Sequence, residues 1–240
     1  MTKAAPPRHA ATVILVRPAP QNAFELFMTR RPAGMGFLGG MYVFPGGSVA
    51  REDWSEPSLA RCHGLSRRKA QTILGGHLNP EICLGHWVAA VRELFEEVGI
   101  LACVTEAGAP VEMKDEERGE RLAEKRKALV EGSLPFHSLL ESEGLLCDAS
   151  RFGYFSHWLT AEIFPIRFDT RFYIASLPPD QTPLSTSEEV SHSLWLSPDR
   201  ALKLFEGGEL PMIFPTFASL RTLADFDSLE SLAREYGLAL

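Results

Sequence analysis

Apolar residues recur along the chain in two rhythms, and their alternation lays out the elements. Thr12–Val16 is apolar and largely β-branched and predicts a buried strand. A turn over Pro18–Asn22 and a second strand over Phe24–Thr29 follow, so the two strands predict a hairpin. Arg30–Gly40, rich in Gly, Arg and Pro, predicts a loop, and Met41–Phe44 a short strand running into Pro45-Gly46-Gly47. Ser66–Leu74 suits a basic helix. From Trp87 to Val98 the residues Val88, Val91, Leu94, Phe95 and Val98 recur three and four apart, the period of a helix with one buried face, and Gly99 is its stop. Ile100–Val104 predicts a strand. Glu112–Glu131 predicts a charged, solvated amphipathic helix, and Phe136–Glu143 another. Strand patterns return at Phe155–Thr160, Thr170–Ala175 and Val190–Leu196, and helical ones at Pro198–Glu206, Thr216–Phe226 and Leu229–Tyr236. Mixed strands flanked by helices predict an α/β fold, an α/β/α sandwich around a central mixed sheet.

Composition narrows the classes. The 240 residues are 45% hydrophobic and 23% charged, ordinary for a globular chain and against dominant disorder, collagen or coiled coil. A net charge of −7 argues against a nucleic-acid partner, because phosphate backbones attract basic surfaces. No apolar run is long enough to span a membrane and no secretory leader is evident, so the expected compartment is the cytoplasm. Cys62, Cys83, Cys103 and Cys147 form no C-x-x-C pair and fit neither a zinc site nor a secreted disulfide framework. No G-x-S-x-G elbow supports a Ser-His-Asp enzyme, and no G-K-[ST] follows the glycine pairs to make a phosphate-binding Walker loop. His86 and His157 are expected to be structural.

The informative segment is Arg92-Glu93-Leu94-Phe95-Glu96-Glu97-Val98-Gly99-Ile100. At helical spacing Glu93, Glu96 and Glu97 fall within about 100° of arc on one face, with Leu94 and Phe95 turned elsewhere. Carboxylates so crowded repel one another unless a positive group sits among them. Arg92 is one candidate. Mg²⁺ or Mn²⁺ is a better one, since hard divalent cations take carboxylate and phosphate oxygens. An isolated E-x-x-E-E run reads more often as a solvated acidic face, but here Phe44-Pro45-Gly46-Gly47 stands upstream, with glycines that let backbone approach a ligand closely.

Together these segments resemble the Nudix hydrolase family, whose signature is G-x5-E-x7-R-E-U-x-E-E-x-G-U, with U aliphatic. Gly47 fits the first glycine, and Arg92, Glu93, Leu94, Glu96, Glu97, Gly99 and Ile100 fit the second half. Asp53 stands where the signature has its first glutamate, and residues 54–91 stand where it has a seven-residue spacer. The sequences Gly36–Gly47 and Arg167–Phe172, with the long insert, are similar to one branch whose characterised members cleave coenzyme A and acyl-coenzyme A at the diphosphate.

The resemblance implies one Nudix domain over residues 1–240, with insertions at about 54–91 and 107–150 that carry specificity or dimer contacts. It implies Glu93, Glu96 and Glu97 as metal ligands for Mg²⁺ or Mn²⁺, with Arg92 holding the glutamates in register. Gly46 and Gly47 would shape the loop beneath the metal. The general base is left between Glu97, a metal-bound hydroxide and the late-loop residues Glu188 and Glu189. Arg30 and Arg31 are candidates for anionic substrate groups. Arg171 either lines a pocket or forms a salt bridge. Phe37, Leu38 and Met41 suit an apolar mouth or packing against the insert. The implied partner is a small-molecule diphosphate, with coenzyme A or acyl-coenzyme A leading and ADP-ribose, NADH or another nucleotide diphosphate open. A non-catalytic ligand sensor of the same fold is the competing class. Neither nucleic acid nor membrane is expected as a partner, and a homodimer is the candidate assembly.

Overall fold

The computed structural model describes residues 5–111, 113 and 115–239. The expected hairpin forms: β1 (Arg8–Pro18) and β2 (Phe24–Arg30) pair antiparallel from Val16↔Leu26 to Pro18↔Phe24. Beyond that register they diverge, and the segment carrying β3 (Tyr42–Val43) and β4 (Gly46–Ser48) fills the fork. β3 pairs with β2 at Thr29 and Arg30, β4 pairs with β1 at Ala10–Thr12, and Val13 N–H donates to Pro45 O between them at 2.8 Å.

Three short elements, α1 (Glu56–Ala60), β5 (Cys62–His63) and α2 (Arg67–Ile73), lead to the long helix α3 (Pro80–Val98). The Asn79 side chain caps α3 by accepting Glu81 N–H at 2.8 Å, Pro80 takes the first position, and Gly99 ends it at φ 73°. The helix thus begins at Pro80 rather than at Trp87. Its first turns include the buried run Cys83–Trp87, so they lack the polar face that periodicity detects.

β6 (Cys103–Thr105), α4 (Glu116–Val130), α5 (Phe136–Glu143) and β7 (Leu145–Asp148) follow. Asp115 caps α4, and the Glu112 start expected for this helix lies outside the described residues. β7 pairs parallel with β5 and antiparallel with β6 in a small sheet absent from the sequence reading. The chain ends with β8 (Phe152–Leu159), β9 (Phe168–Ser176), β10 (His192–Leu196), α6 (Pro198–Glu206), α7 (Phe214–Leu223) and α8 (Leu229–Tyr236).

The main sheet runs β10-β2-β1-β9-β8. It is mixed, because β1 and β9 pair in parallel from Arg8↔Phe168 to Val16↔Ser176 while its other pairs are antiparallel. Alternation along the strands divides the apolar side chains between two cores. Val13, Leu15, Phe27, Tyr173 and Ala175 face α3, α4 and α5. Ile14, Val16, Leu26, Met28, Phe172 and Ile174 face α6, α7 and α8. The α/β/α sandwich is therefore present as expected. Among the described residues no helix is long and apolar enough to cross a membrane.

One residue of the substrate-binding expectation is corrected here. β9 turns Arg171 onto the face toward α3, where it is 1% exposed and bonded to Asp169. Period-2 alternation identifies which residues share a face, not which face meets solvent, and of the two readings the salt bridge holds. Nearby, the buried His86 of α3 packs edge-on against His9 of β1, ring centroids 5.2 Å apart. Burial, with the charges of His9 and Arg171, pushes the His86 pKa down to about 3.

The unfolded chain returns His86 to its ordinary value of 6.5. The unfolded state then binds more protons than the folded one between these values, and this contribution to stability is lost as pH falls through that window. In urea titrations the stability of the wild type relative to His86→Leu is expected to shrink by up to about 1.4 kcal/mol per pH unit below pH 6. A pH-independent difference would mean that the folded protein accepts the imidazolium.

Candidate active site

The C-terminal turns of α3 bring Glu93, Glu96 and Glu97 toward β4. Glu97 Oε2 accepts Gly46 N–H at 3.0 Å. Glu93 lies against Gly47, where a Cβ would stand 2.5–2.6 Å from its carboxylate atoms. A β-carbon there would push that carboxylate aside. Gly46 has a different reason to lack a side chain: its φ is 151°, and a Cβ there would meet Thr12 Cα at 2.6 Å inside the fork.

Arg92 lies in the middle of this group and is 9% exposed. Its Nε and Nη2 donate to the two carboxylate oxygens of Asp53 at 2.8 and 2.9 Å, a bidentate pair. Nη2 also donates to Ser48 O at 2.9 Å, and Nη1 meets Glu96 at 3.1 Å and Glu93 at 2.9 Å. Asp53, 1% exposed, also accepts Ala50 N–H at 2.7 Å. The aspartate that stands in place of the signature's first glutamate thus anchors the arginine. Burial works against the Arg92 charge, but the Asp53 hydrogen bonds and the neighbouring carboxylates outweigh it and hold its pKa well above the ordinary range.

One cation does not balance four carboxylates. Burial pushes Glu93 up to about 7, against the pull of Arg92 and with the charges of Glu96 and Asp53 adding to the rise. Burial also raises Glu96, and it raises Glu97 well above the carboxylate range with the Glu93 charge adding. Helix spacing therefore predicted the convergence correctly, and the solvated-face alternative does not describe it. The donors are hard oxygens on one helix face, buried at Glu93 and Glu97 and half-buried at Glu96, which fits a divalent cation in kind. Among the described residues no three His, Cys, Asp or Glu side chains form a ready ligand cage. Glu93 and Glu96 turn to Arg92, and Glu97 to Gly46, so holding an ion here requires them to rotate.

The remaining candidates form the rim. Arg31 Nε donates to Phe37 O at 3.2 Å, and its Nη2 stands 3.7 Å from Glu189 Oε2. Its charge bears on Glu97, and that of Glu189 bears on both Glu96 and Glu97. Arg31 and Glu189 therefore belong to the same cleft as the α3 carboxylates. Arg30 donates to Gly40 O at 3.1 Å and lies over the Tyr42 ring, so it braces the loop that carries Phe37. Phe37 packs on Phe168, ring centroids 5.2 Å apart. Arg171, buried beneath the sheet, is not part of this cleft. A contact with no signal in the sequence comes from α4, where Arg126 Nη1 donates to Glu96 O at 2.6 Å.

An α/β/α sandwich with this helix and this glycine loop is the architecture of a Nudix hydrolase. A crystal structure of a Nudix hydrolase from Alicyclobacillus acidocaldarius superimposes with a TM-score of 0.74 at 26% identity, covering 96% of each chain. More narrowly, the chain belongs to the family described as the NUDT19 Nudix domain, whose profile matches residues 66–223. The acyl-coenzyme A diphosphatase NUDT19 of Gallus gallus is 29% identical over 272 residues, covering 94% of this chain and 70% of that protein. The Homo sapiens protein of the same name is 29% identical over 246 residues, covering 90% of this chain. The chain spans 64% of the human relative's length and 62% of the Xenopus laevis one's.

The two glycines are expected to respond differently to alanine. Gly46→Ala places a β-carbon against β1 backbone at a strained φ, costing roughly 1–3 kcal/mol for the dihedral alone and lowering Tm by several degrees. Gly47→Ala meets only the movable end of Glu93 and is expected to leave Tm nearly unchanged while displacing that carboxylate. Differential scanning fluorimetry of the two variants checks this. Equal losses of Tm would mean that Glu93 cannot move aside.

Proposed function

We propose that the chain is a Mg²⁺- or Mn²⁺-dependent diphosphatase that hydrolyses acyl-coenzyme A and coenzyme A at their diphosphate linkage. The observation that carries this reading is the group of buried and half-buried, under-compensated carboxylates on α3 beside the glycine loop in the fork. The substrate class comes from the names of the relatives at 29% identity.

Glu93, Glu96 and Glu97 would hold the cation, which when bound draws charge from the diphosphate and lowers the proton affinity of attacking water. Arg92 sets the separation of Glu93 and Glu96, and Asp53 and Ser48 O fix Arg92. The Gly46 N–H orients Glu97. Arg31 supplies a positive charge at the rim for a phosphate oxygen, and Arg30 holds the adjoining loop. Glu189 takes the proton from the attacking water. It is the exposed carboxylate of the cleft, whereas Glu97 is buried and committed to Gly46 N–H.

The test is product analysis with each metal on coenzyme A, an acyl-coenzyme A, ADP-ribose, NADH, a dinucleoside polyphosphate and a nucleoside triphosphate. Metal-dependent release of 3′,5′-ADP and a phosphopantetheine is the expected result. Turnover only of another compound would retain the chemistry and reject the substrate. The double variant Glu96→Gln with Glu97→Gln is expected to abolish turnover. Glu189→Gln is expected to lower kcat about 100-fold or more. A near-normal kcat in that variant would assign the base elsewhere.

A further inference from the structure

We propose that Arg126, on α4, is a positioning residue for the metal site, holding Glu96 through its backbone rather than its carboxylate. The inference rests on the metal reading given above.

Helix α4 packs on the core through the buried residues Leu122 and Leu129. Arg126 is four residues after the first and three before the second, so it shares their stripe. A core-facing position between two leucines would ordinarily carry an apolar side chain. Neighbouring basic residues of the helix pair away from α3: Arg121 and Lys125 meet Glu143 of α5, and Lys127 meets Glu131. Arg126 is half-buried and reaches α3 instead, 2.6 Å from Glu96 O.

That carbonyl is available for a physical reason. The last four carbonyls of a helix have no amide of their own helix to accept. At the end of α3, Gly99 N–H meets Phe95 O, Ile100 N–H meets Leu94 O, and Leu184 N–H meets Val98 O. The Glu96 carbonyl is met by the guanidinium of Arg126. A cation at this end also offsets the negative pole of the helix. Because the bond goes to the main chain, both carboxylate oxygens of Glu96 stay free of Arg126. The turn is fixed and the ligand is not consumed. Helix α4 thereby becomes part of the support for two of the three acidic side chains, Glu96 and its neighbour Glu97.

The test is Mn²⁺ binding to the full chain, followed by loss of the free-ion paramagnetic resonance signal, with no substrate present. Arg126→Ala is expected to raise the Mn²⁺ dissociation constant about tenfold, the usual scale for losing a group that orients a ligand. Arg126→Lys, which keeps a charged donor, should recover part of the loss. Arg121→Ala, on the same helix but paired with α5, should bind Mn²⁺ as the wild type does. At saturating Mn²⁺ the KM for substrate should be unchanged in Arg126→Ala. If that variant folds poorly, Arg126→Gln, a shorter neutral donor, takes its place with the same expected direction. Wild-type affinity in Arg126→Ala, or an equal loss in Arg121→Ala, would overturn the inference. Wild-type Mn²⁺ binding that persists in the Glu96→Gln, Glu97→Gln double variant would instead overturn the metal reading, and the inference with it.

Discussion

The bidentate pair between Arg92 and Asp53 is the constraint on which the site depends. A guanidinium withdrawn from water is costly unless every donor finds an acceptor. Here the acceptors come from three parts of the chain: Asp53 in the turn after β4, Ser48 at the end of β4, and Glu93 and Glu96 on α3 itself. Satisfying one side chain therefore fixes the helix against the strand that carries the glycines. It also sets where the two ends of the intervening segment must meet, since Asp53 and Arg92 are 39 positions apart in sequence. Removing one partner of such a pair typically costs about 3–5 kcal/mol, because the other charge stays buried.

The fork between β1 and β2 supplies the second half of the arrangement. A hairpin paired along its whole length would leave no room for Pro45 and Gly46 between its strands. Divergence beyond Val16↔Leu26 opens that room, and the backbone of β4 satisfies the β1 edge it exposes. Gly46 is thus demanded by the closeness of β1 behind, while Gly47 leaves the carboxylate of Glu93 its place in front.

Much of this was legible in the sequence, where side-chain pattern and local structure agree. The period of three and four gave the C-terminal half of α3 and, with it, the shared face of the three glutamates. A β-branched apolar run gave β1, alternation gave β9, and helical patterns gave α5, α6 and α8 with their observed bounds. What was not legible has common physical causes. From Cys83 the first half of α3 is buried on all sides, so contrast is lost, although Asn79 and Pro80 mark its start. β4 contains two glycines, poor strand formers, and is a strand only because the fork needs a partner. Arg171 alternates correctly yet points inward. Asp53 and Arg126 make tertiary contacts, and no spacing rule links them to α3 once a long segment or another helix intervenes.

Helix α3 is both the spine of one core and the carrier of the acidic group. From Cys83 to Val98 it is buried except at Glu96. A rod held on nearly every side has little freedom to tilt or slide, because close-packed interiors resist small displacements. On the proposed function, adaptation to ligands of different shape would fall to the loops beside the rod, the one with Phe37 and the one with Glu189. On that reading the molecule would divide into a fixed floor, where chemistry is tied to folding, and replaceable loops, where recognition can drift without disturbing it.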